Sequence, residues 1–445
     1  MTHSKNLIYK KLFTFYFLLF ILQGMLMSAT LKQIDYNNTE IATIYEKNKN
    51  LPIFNLQLVF TNSGYINDNT KPGITNIISQ LLNEGTKTDG AVNFARKLEN
   101  EAISISTSTG FETFVIEVSC LKSEYKAALN FLTQLLNDPN ITQKSLDKIK
   151  TLQISKLKQK ENDFDYVASS YLKQITYKNT PLEYTSSGTI ETITAIELKD
   201  VKKQLKTILN LDNLIIAVGG DISFKEFSSD IPPILKNLQS LGKTNFEKIT
   251  YAKESQEKTI LKETEQSYIY FSSPFFIDAD SKENYKAKVA SFILGGSGFG
   301  SRLMEEIRVK NGLAYSAYGQ IKNNKSHSNF TGYLQTKLDN TQKAKEMVTS
   351  IVKEFVKNGA TQEELDAAKN FLSGSEPLRT ETFSQRLNRA FHLYYNGLAF
   401  EYPQQELELI DKLSLEDLNT FIKEHKEIED LSFSIVTKEV KEEKN

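Results

Sequence analysis

The chain has 445 residues, of which 40% are hydrophobic and 24% charged, and its 54 basic and 55 acidic side chains leave a formal net charge of -1. This is the composition of a globular protein with enough length for two or more cores, and its near-neutral charge gives no reason to expect nucleic acid or a strongly charged partner. Cys120 is the only cysteine, which excludes an intrachain disulfide and a cysteine-based metal site.

The first 29 residues have the pattern of an export signal. Lys5, Lys10 and Lys11 precede an almost wholly apolar run over residues 12–27, and the small residue Ala29 follows shortly after. This order is typical of a signal peptide and its cleavage site. We therefore expect residues 1–29 to be removed and the mature chain to be exported, to the periplasm. The alternative is an uncleaved membrane anchor, because the run is near the roughly 18-residue lower limit for a bilayer span.

In the first half, hydrophobic periodicity predicts a strand, two helices, a pair of strands and further helices. Apolar residues recur at the spacing of one helix face over residues 74–82. The remaining predictions are strands over residues 55–60, 103–108 and 111–118, and helices over residues 91–102, over 123–136 and from 143 past 160.

The second half repeats the plan of the first. Three stretches match in the same order and at nearly constant offset, which is unlikely by chance. One of them contains Thr361 and Glu364, spaced as a capping box at a helix start. The matches are residues 142–150 with 361–369 (361 − 142 = 219), 97–110 with 306–319 (319 − 110 = 209), and 213–218 with 430–435 (430 − 213 = 217).

This repeat predicts an α+β fold of two homologous lobes, each a mostly antiparallel sheet packed with helices. We expect the N-terminal lobe over residues 30–242 and the C-terminal lobe over residues 263–445. Residues 243–262 are polar and rich in lysine and glutamate, and they are the expected linker.

Residues 294–319 form the most distinctive stretch of the second half. Its glycines allow the backbone to approach another surface closely, Ser301 is placed to cap a short helix, and an aromatic strand follows. Arg308 therefore ends the helix and Tyr315 lies on the strand, 315 − 308 = 7 positions later. The loop lacks the Lys-Ser/Thr pair of a phosphate-binding P-loop. We expect packing or peptide-substrate contact for its members Gly295, Gly296, Ser297, Gly298 and Phe299.

Several short motifs follow one another in a fixed order along the mature chain. They are Thr61-Asn62-Ser63-Gly64, Asn83-Glu84-Gly85-Thr86-Lys87, Leu294-Gly295-Gly296, Ser301-Arg302-Leu303 and Gly312-Leu313-Ala314-Tyr315-Ser316. Their order resembles the insulinase and mitochondrial-processing-peptidase family of metallopeptidases, the pitrilysin-like or inverzincin group. The resemblance implies two homologous α+β lobes that face each other across a chamber, in agreement with the internal repeat.

Active members of that family carry H-x-x-E-H on the first helix, where two histidines bind zinc and the glutamate is the general base. The resemblance implies that these positions, and that of a third, glutamate ligand on a later helix, are held here by Asn76, Ser79, Gln80 and Ser155. Amides and hydroxyls are poor zinc ligands and poor bases, and no histidine lies between His3 and His327. We expect no metal in this chain, and we interpret Asn76, Ser79 and Gln80 as a solvated helix face.

Arg308 and Tyr315 match a pair that, in active relatives, holds the substrate backbone and supports the developing oxyanion. Many bacterial and organellar members divide the work between a chain with the zinc helix and a chain with this pair. The resemblance thus implies a zinc-less subunit that assists a zinc-bearing partner through Arg308 and Tyr315. An extended peptide substrate is expected to pair with a sheet edge, and the zinc of this heterodimer is expected in the partner.

Other interpretations of these residues remain open. Arg308 can be a basic residue favoured at a helix C-terminus, and Tyr315 an ordinary strand aromatic. A function of another class is that of a structural core protein with no part in proteolysis. An independent peptidase with other chemistry is not indicated, because Cys120 has no histidine near it in sequence. We expect His392 to be a packed or surface histidine.

Overall fold

The computed structural model of the chain describes residues 29–68, 70–298 and 300–438. The expected export signal therefore lies outside the described residues except for Ala29, and Phe299 of the glycine loop lies outside them as well. Within the described part of the chain, no helix is both long enough and apolar enough to cross a membrane.

The described residues form eleven strands. Some, such as Thr113–Leu121, alternate in burial, whereas Leu214–Gly220 and Ser432–Thr437 are buried along nearly their whole length, as expected for strands covered on both faces. The bounds of the strands are β1 Thr30–Tyr36, β2 Thr39–Lys47, β3 Ile53–Thr61, β4 Ser104–Thr109, β5 Thr113–Leu121, β6 Leu214–Gly220, β7 Glu257–Leu261, β8 Gln266–Pro274, β9 Ala314–Asn323, β10 Ser328–Lys337 and β11 Ser432–Thr437.

The strands form two sheets, one from each half of the chain. The first has the order β1-β2-β6-β3-β5-β4 and the second the order β7-β11-β8-β10-β9. Neighbours are antiparallel except for β2 with β6 and β7 with β11. Apart from β1, the first sheet matches the second strand for strand. The predicted α+β fold of two homologous lobes is therefore confirmed, and β4 and β9 occupy equivalent outer edges.

The helices include several that correspond in the two halves. The α-helices are α1 Ile74–Leu82, α2 Gly90–Asn100, α3 Tyr125–Asn137, α4 Gln143–Lys160, α5 Phe164–Thr176, α6 Ile190–Ala195, α7 Leu198–Ile208, α8 Phe224–Asp230, α9 Pro232–Leu235, α10 Asn284–Ser291, α11 Arg302–Met304, α12 Thr341–Asn358, α13 Gln362–Ser375, α14 Phe383–Tyr395, α15 Tyr402–Lys412 and α16 Leu415–Glu424, with π-helical segments over Phe292–Gly296 and Glu305–Lys310.

Each lobe buries one face of its sheet under its own helices. In the first lobe, Leu58 of β3 and Ile77 of α1 are fully buried in one apolar core. In the second lobe, Phe330 of β10 and Val352 of α12 are fully buried in a separate core. The two cores explain why the apolar residues of the strands and helices recur with their respective periods.

The opposite face of each sheet is covered by a helix from the other lobe. Val167 of α5, in the first half, packs against Val436 of the second sheet. Phe391 of α14, in the second half, packs against Val59 of the first sheet. The two helices begin 383 − 164 = 219 residues apart, which is the offset of the repeat that precedes them. The lobes are therefore interlocked by an exchange of equivalent helices.

Polar contacts fix the exchanged helices. Asp165, in the first turn of α5, accepts hydrogen bonds from the Tyr270 hydroxyl at 3.0 Å and the Gln335 amide at 2.9 Å. Arg386 of α14 donates a hydrogen bond to Glu46 of β2 at 2.7 Å, and Glu46 is only 2% exposed. Burial raises the pKa of Glu46, and the Arg386 guanidinium opposes that rise.

The expected linker over residues 243–262 is corrected at its C-terminal end. Glu257–Leu261 forms β7, which pairs with β11 in the second sheet. The preceding residues bond to both lobes, since the Ala252 amide donates to the Thr176 carbonyl at 2.8 Å and the Ile249 amide donates to the Ser326 carbonyl at 2.7 Å. The polar composition that suggested a linker also suits β7, because it is an exposed edge strand.

Candidate functional site

Helix α1, which would carry zinc in an active relative, is held at its start by a buried carboxylate. Asp68 accepts hydrogen bonds from the backbone amides of Gly73 (2.7 Å) and Thr75 (3.2 Å) and from the Thr75 hydroxyl (2.5 Å). These bonds satisfy donors that a helix N-terminus leaves without partners. Burial raises the pKa of Asp68 to about 6, although the same bonds oppose the rise.

Ser79 occupies the position of the general base, and it is 5% exposed. Its hydroxyl donates a hydrogen bond to the Thr107 carbonyl at 2.9 Å, and the Thr107 hydroxyl donates one to the Ser79 carbonyl at 2.7 Å. Asn76 and Gln80 are only partly exposed. The interpretation of these three residues as a solvated helix face is therefore wrong, because β4 packs directly over this turn of α1.

The residue of α4 that faces the zinc-helix position is Gln153. The Gln80 amide nitrogen donates a hydrogen bond to the Gln153 carbonyl oxygen at 3.2 Å, and Gln153 is 3% exposed. Ser155, the position expected for the third ligand, is instead on the exposed face of α4. Gln153 lies two residues before Ser155 on α4, and this difference turns the Ser155 side chain away from α1.

These side chains do not fit a zinc ion. The meeting point of α1 and α4 offers amides and a hydroxyl, whereas zinc in proteins is bound by imidazole, thiolate or carboxylate groups. Across the described residues there is no group of three or more His, Cys, Asp or Glu side chains that could hold a metal ion.

The outer edge of β4 is closed at its centre. Asn83, just after α1, accepts a hydrogen bond from the Thr107 amide at 2.9 Å and donates one to the Thr107 carbonyl at 3.1 Å. One side chain thus takes both backbone groups that an added strand would need at this position. A peptide that paired with β4 here would have to displace Asn83.

In the second lobe, the glycine-rich segment packs on the equivalent strand β9. Gly295 lies so close that a Cβ atom there would be 2.6 Å from the Gly319 nitrogen and 2.7 Å from its oxygen. Two residues further on, the Ile321 amide donates to the Ser291 hydroxyl at 2.9 Å. Of the two roles expected for Gly295, packing or substrate contact, its position fits packing. This part of the edge of β9 is also closed.

The rest of the loop lies at the surface beside β9. Gly296 is exposed, Ser297 is partly exposed, and Gly298 has φ 69° and faces the ring of Tyr318. Ser301 does precede α11, but its hydroxyl donates to the Gly298 carbonyl at 2.8 Å rather than capping the helix. The predicted cap is therefore wrong, and the hydroxyl closes the turn of the loop instead.

Arg302 anchors the loop to α13. Its guanidinium donates to both carboxylate oxygens of Glu364, at 2.6 Å and 2.7 Å, and to the Gly359 carbonyl at 2.7 Å. Glu364 also forms the predicted capping box with Thr361. Burial alone would raise the pKa of Glu364, but the bonds and charge of Arg302 and the bonds to Thr361 hold it below its usual value.

A β-bulge determines where Tyr315 points. Ala317 pairs with Leu334 and Ala314 with Thr336, so two residues of β9, Tyr315 and Ser316, stand opposite one residue of β10. Without the extra residue, Tyr315 would alternate away from the side occupied by Tyr318. The bulge instead lets both rings lie outside the core, where Tyr315 is 82% and Tyr318 is 37% exposed.

The structure brings Arg308 and Tyr315 together. Arg308 lies in the last turn of the π-helical segment Glu305–Lys310, and its guanidinium carbon lies 4.5 Å from the centre of the Tyr315 ring. This is the geometry of a cation–π contact. Beyond Tyr315 a row of rings leads toward α5. Tyr318 lies 5.6 Å from Tyr333, which stacks at 5.5 Å on Tyr270, the residue bonded to Asp165.

Sequence reasoning missed three elements of this region. No sequence pattern marks Gln153, whose role follows from the rotation of α4. Asn83 belongs to one of the motifs that carry the family resemblance, but its bonds to the edge of β4 do not follow from that motif. The tyrosine row was detectable in principle, because Tyr270, Tyr318 and Tyr333 each lie in a strand of alternating burial.

Comparison with known proteins agrees with these features. A family model described as Insulinase (Peptidase family M16) matches residues 43–190, and one described as Peptidase M16 inactive domain matches residues 195–372. The chain is also 42% identical over 430 residues to "Non-peptidase homolog YmxG" of Helicobacter pylori, which covers 96% of this chain and 99% of that protein. The chain belongs to the insulinase family.

Two more distant comparisons are consistent with this membership. The chain is 25% identical over 318 residues to "Uncharacterized zinc protease YmxG" of Bacillus subtilis, and the match covers 71% of this chain and 76% of that protein. The crystal structure of a peptidase M16 inactive domain from Pseudomonas fluorescens superimposes with a TM-score of 0.84 at 22% identity, covering 92% of this chain and 99% of the other. With its amides in place of zinc ligands, this insulinase-family chain fits a non-catalytic member.

Proposed function

We propose that this chain is the zinc-less subunit of a two-chain insulinase-family peptidase. In this proposal the second lobe binds an extended peptide and presents it to the zinc site of a homologous partner. The observation that carries it is the contrast between the two lobes. The first lobe has amides at the ligand positions, whereas the second presents Arg308 against a Tyr315 ring that is 82% exposed.

The geometry of the pair suits contact with a peptide. An exposed tyrosine ring contributes little burial energy to the stability of the fold. The guanidinium that stacks on it restricts the orientation of both groups. Together they present N–H and O–H donors to a carbonyl oxygen, which is the requirement for oxyanion support. The neighbouring rings of Tyr318 and Tyr333 would contact apolar side chains of the peptide.

The strand partner of the peptide is proposed to come from the other subunit. Asn83 closes the edge of β4 at Thr107, and the glycine segment closes that of β9 from Gly319 to Ile321. Backbone pairing with this chain is therefore obstructed at both equivalent edges. The role left to this subunit is to hold the peptide with side chains, chiefly those of Arg308 and Tyr315.

The proposed location is outside the cytoplasm, in the periplasm, on the strength of the basic and apolar segment before Ala29. Detection of the processed N-terminus near residue 30 in a periplasmic fraction tests it. Recovery of the unprocessed chain from the cytoplasm would contradict it.

The decisive experiment for the function is purification of the native complex with metal analysis. The expected result is a co-purifying homologue that contains H-x-x-E-H, about one zinc per pair of chains, and peptide hydrolysis by the pair but not by this chain alone. Stoichiometric zinc in the isolated chain, with peptide hydrolysis, would overturn the proposal.

The closed edges in both lobes also favour a second candidate, a structural core protein. It predicts stable assembly without any homologue that contains H-x-x-E-H. Substitution of Arg308 or Tyr315 would then leave the function of the assembly unchanged.

A further inference from the structure

A cavity of 520 Å³ lies between the two lobes, away from Arg308 and Tyr315. The C-terminal half of the exchanged helix α5 forms one wall, and α14 and the turn between β9 and β10 form the others. Its volume is in the range of about 300–1,000 Å³ that is typical of small-molecule sites.

The cavity wall has more basic than acidic side chains. Lys173, Lys322 and Lys325 line it together with His327, and Glu112 is the only carboxylate among the lining residues. Both oxygens of Glu112 are already engaged. One accepts hydrogen bonds from the amide and hydroxyl of Ser326, at 2.7 Å and 2.5 Å, and the other accepts one from the Tyr395 hydroxyl at 2.9 Å.

Lys173 is the least solvated of these basic groups. Within the described residues, neither Lys173 nor Lys322 has a hydrogen bond or ion pair with a carboxylate. Burial lowers the pKa of Lys173, and the charge of Lys322 lowers it further. The pKa of His327 falls to about 4, first because of burial and then because of Lys173 and Lys322. Lys173 and Lys322 repel each other across this space, and Glu112 is the one carboxylate of the wall. An anion between the two ammonium groups would offset the cost of this repulsion.

The rest of the wall combines aromatic rings with the polar side chains of Ser, Thr and Asn residues. The His327 ring lies edge-on to Phe111 at 5.4 Å and to Tyr177 at 5.8 Å between ring centres. Tyr177 is 5% exposed, and its buried hydroxyl has no hydrogen-bond partner among the described residues. The cavity therefore offers both lysine ammonium groups and aromatic rings to a ligand.

We propose that the interlobe cavity is a binding site for a small organic anion with an apolar body and one oxyanion group. Lys173 and Lys322 are the charge partners of the oxyanion, which is a phosphate monoester or a carboxylate. The rings of Phe111 and Tyr177 contact the apolar body. The ligand touches both lobes and both exchanged helices, so its binding stabilises the interlocked form of the chain.

Thermal unfolding of the full chain, with ligand titrations at constant ionic strength, tests this site. The probes are phenyl phosphate, benzoate, inorganic phosphate and, as a neutral body, benzyl alcohol. We expect the Tm to rise with the concentration of phenyl phosphate, benzoate or both, and which of them acts identifies the oxyanion. No response to either probe, or an equal response to benzyl alcohol, overturns the proposal.

Two variants locate the site. Lys173→Met and Lys322→Met are each expected to weaken binding of the active probe by about tenfold or more, because each removes a charged hydrogen-bond donor. Lys322 is exposed, so its substitution leaves the fold intact if Lys173→Met does not express. The matched control is Lys32→Met, which removes one charge from the exposed side of β1. An equal loss in the control would attribute the response to general charge and would overturn the site.

Discussion

The Gln80 side chain of α1 donates a hydrogen bond to Gln153 of α4 at 3.2 Å. Two amides thus meet where the family resemblance leads us to expect a histidine and a glutamate in a zinc-bearing relative. Because Asn76 lies one helical turn before Gln80 on the same face, the variant Asn76→His/Gln80→His/Gln153→Glu combines three suitable ligands. We expect it to bind zinc at least about tenfold more tightly than the unaltered chain, as measured by calorimetry.

The matched control for that experiment replaces Gln153→Glu with Ser155→Glu. Ser155 is exposed on α4, so its carboxylate cannot reach the two new histidines. If this control binds zinc as tightly as the Gln153 variant, the assignment of Gln153 to the ligand position is wrong.

Tyr315→Phe and Arg308→Ala are expected to lower turnover by the two-chain complex. Loss of a donor that stabilises an oxyanion reduces kcat by about 10²–10³-fold. Both side chains lie outside the core, so the Tm should change little. Val309→Ala, at the exposed neighbouring position, is the control. Unchanged steady-state kinetics in both variants would remove the proposed role and favour the structural alternative.

Gly295→Ala is expected to destabilise the protein, because the new Cβ atom would lie 2.6 Å from the Gly319 nitrogen. Forced overpacking of this kind costs about 1–3 kcal/mol. A Cβ atom added at Gly374, in α13, would have no atom within 4 Å. Gly374→Ala should therefore stabilise the helix by about 0.5–1 kcal/mol. Urea unfolding measures both changes. Equal effects of the two substitutions would contradict close packing at Gly295.

Glu364→Gln tests the anchor of the glycine loop. The pKa of Glu364 is lowered in the folded protein, so its contribution to stability is present above its unfolded pKa and is lost as pH falls through the folded pKa. We expect the variant to be less stable by about 1–3 kcal/mol at neutral pH. The difference should shrink below about pH 4. A difference that grows on acidification would reverse the assigned sign.

Arg386→Met tests the contact between α14 and the first sheet. The substitution leaves Glu46, which is 2% exposed, without its guanidinium. Breaking a buried pair from one side costs about 3–5 kcal/mol. The double variant Glu46→Met/Arg386→Met removes both charges and should recover most of that loss. Additive losses in the double variant would show that the two side chains are not coupled.

Local features of the fold were predictable from the sequence. The spacing of Ile74, Ile77, Ile78, Leu81 and Leu82 gave the bounds of α1, because each of these residues packs into the core of its own lobe. The internal repeat predicted that the two lobes correspond, because equivalent elements of each lobe occur in the same order in the sequence.

Features that depend on how elements are rotated or paired were not predictable. Ser155 and Gln153 differ only in which face of α4 turns to α1. Ser301 has the composition of a cap, yet its hydroxyl bonds to Gly298 because the loop folds back on itself. The pair Arg308 and Tyr315 was indicated by the family resemblance, whereas the bulge that exposes Tyr315 depends on the register with β10.

The exchange of α5 and α14 makes the chain a single cooperative unit despite its two cores. Loss of either lobe would remove the helix that covers one face of the other lobe's sheet. Apolar side chains such as Val59 and Val436 would then be exposed to water. Neither half is therefore expected to persist alone, and both should unfold in one transition. Two separate copies of a half-length chain could make the same contacts as a domain-swapped dimer. Assembly of such a dimer would depend on protein concentration. In this chain the covalent connection makes the association of the two halves intramolecular, so it does not depend on protein concentration.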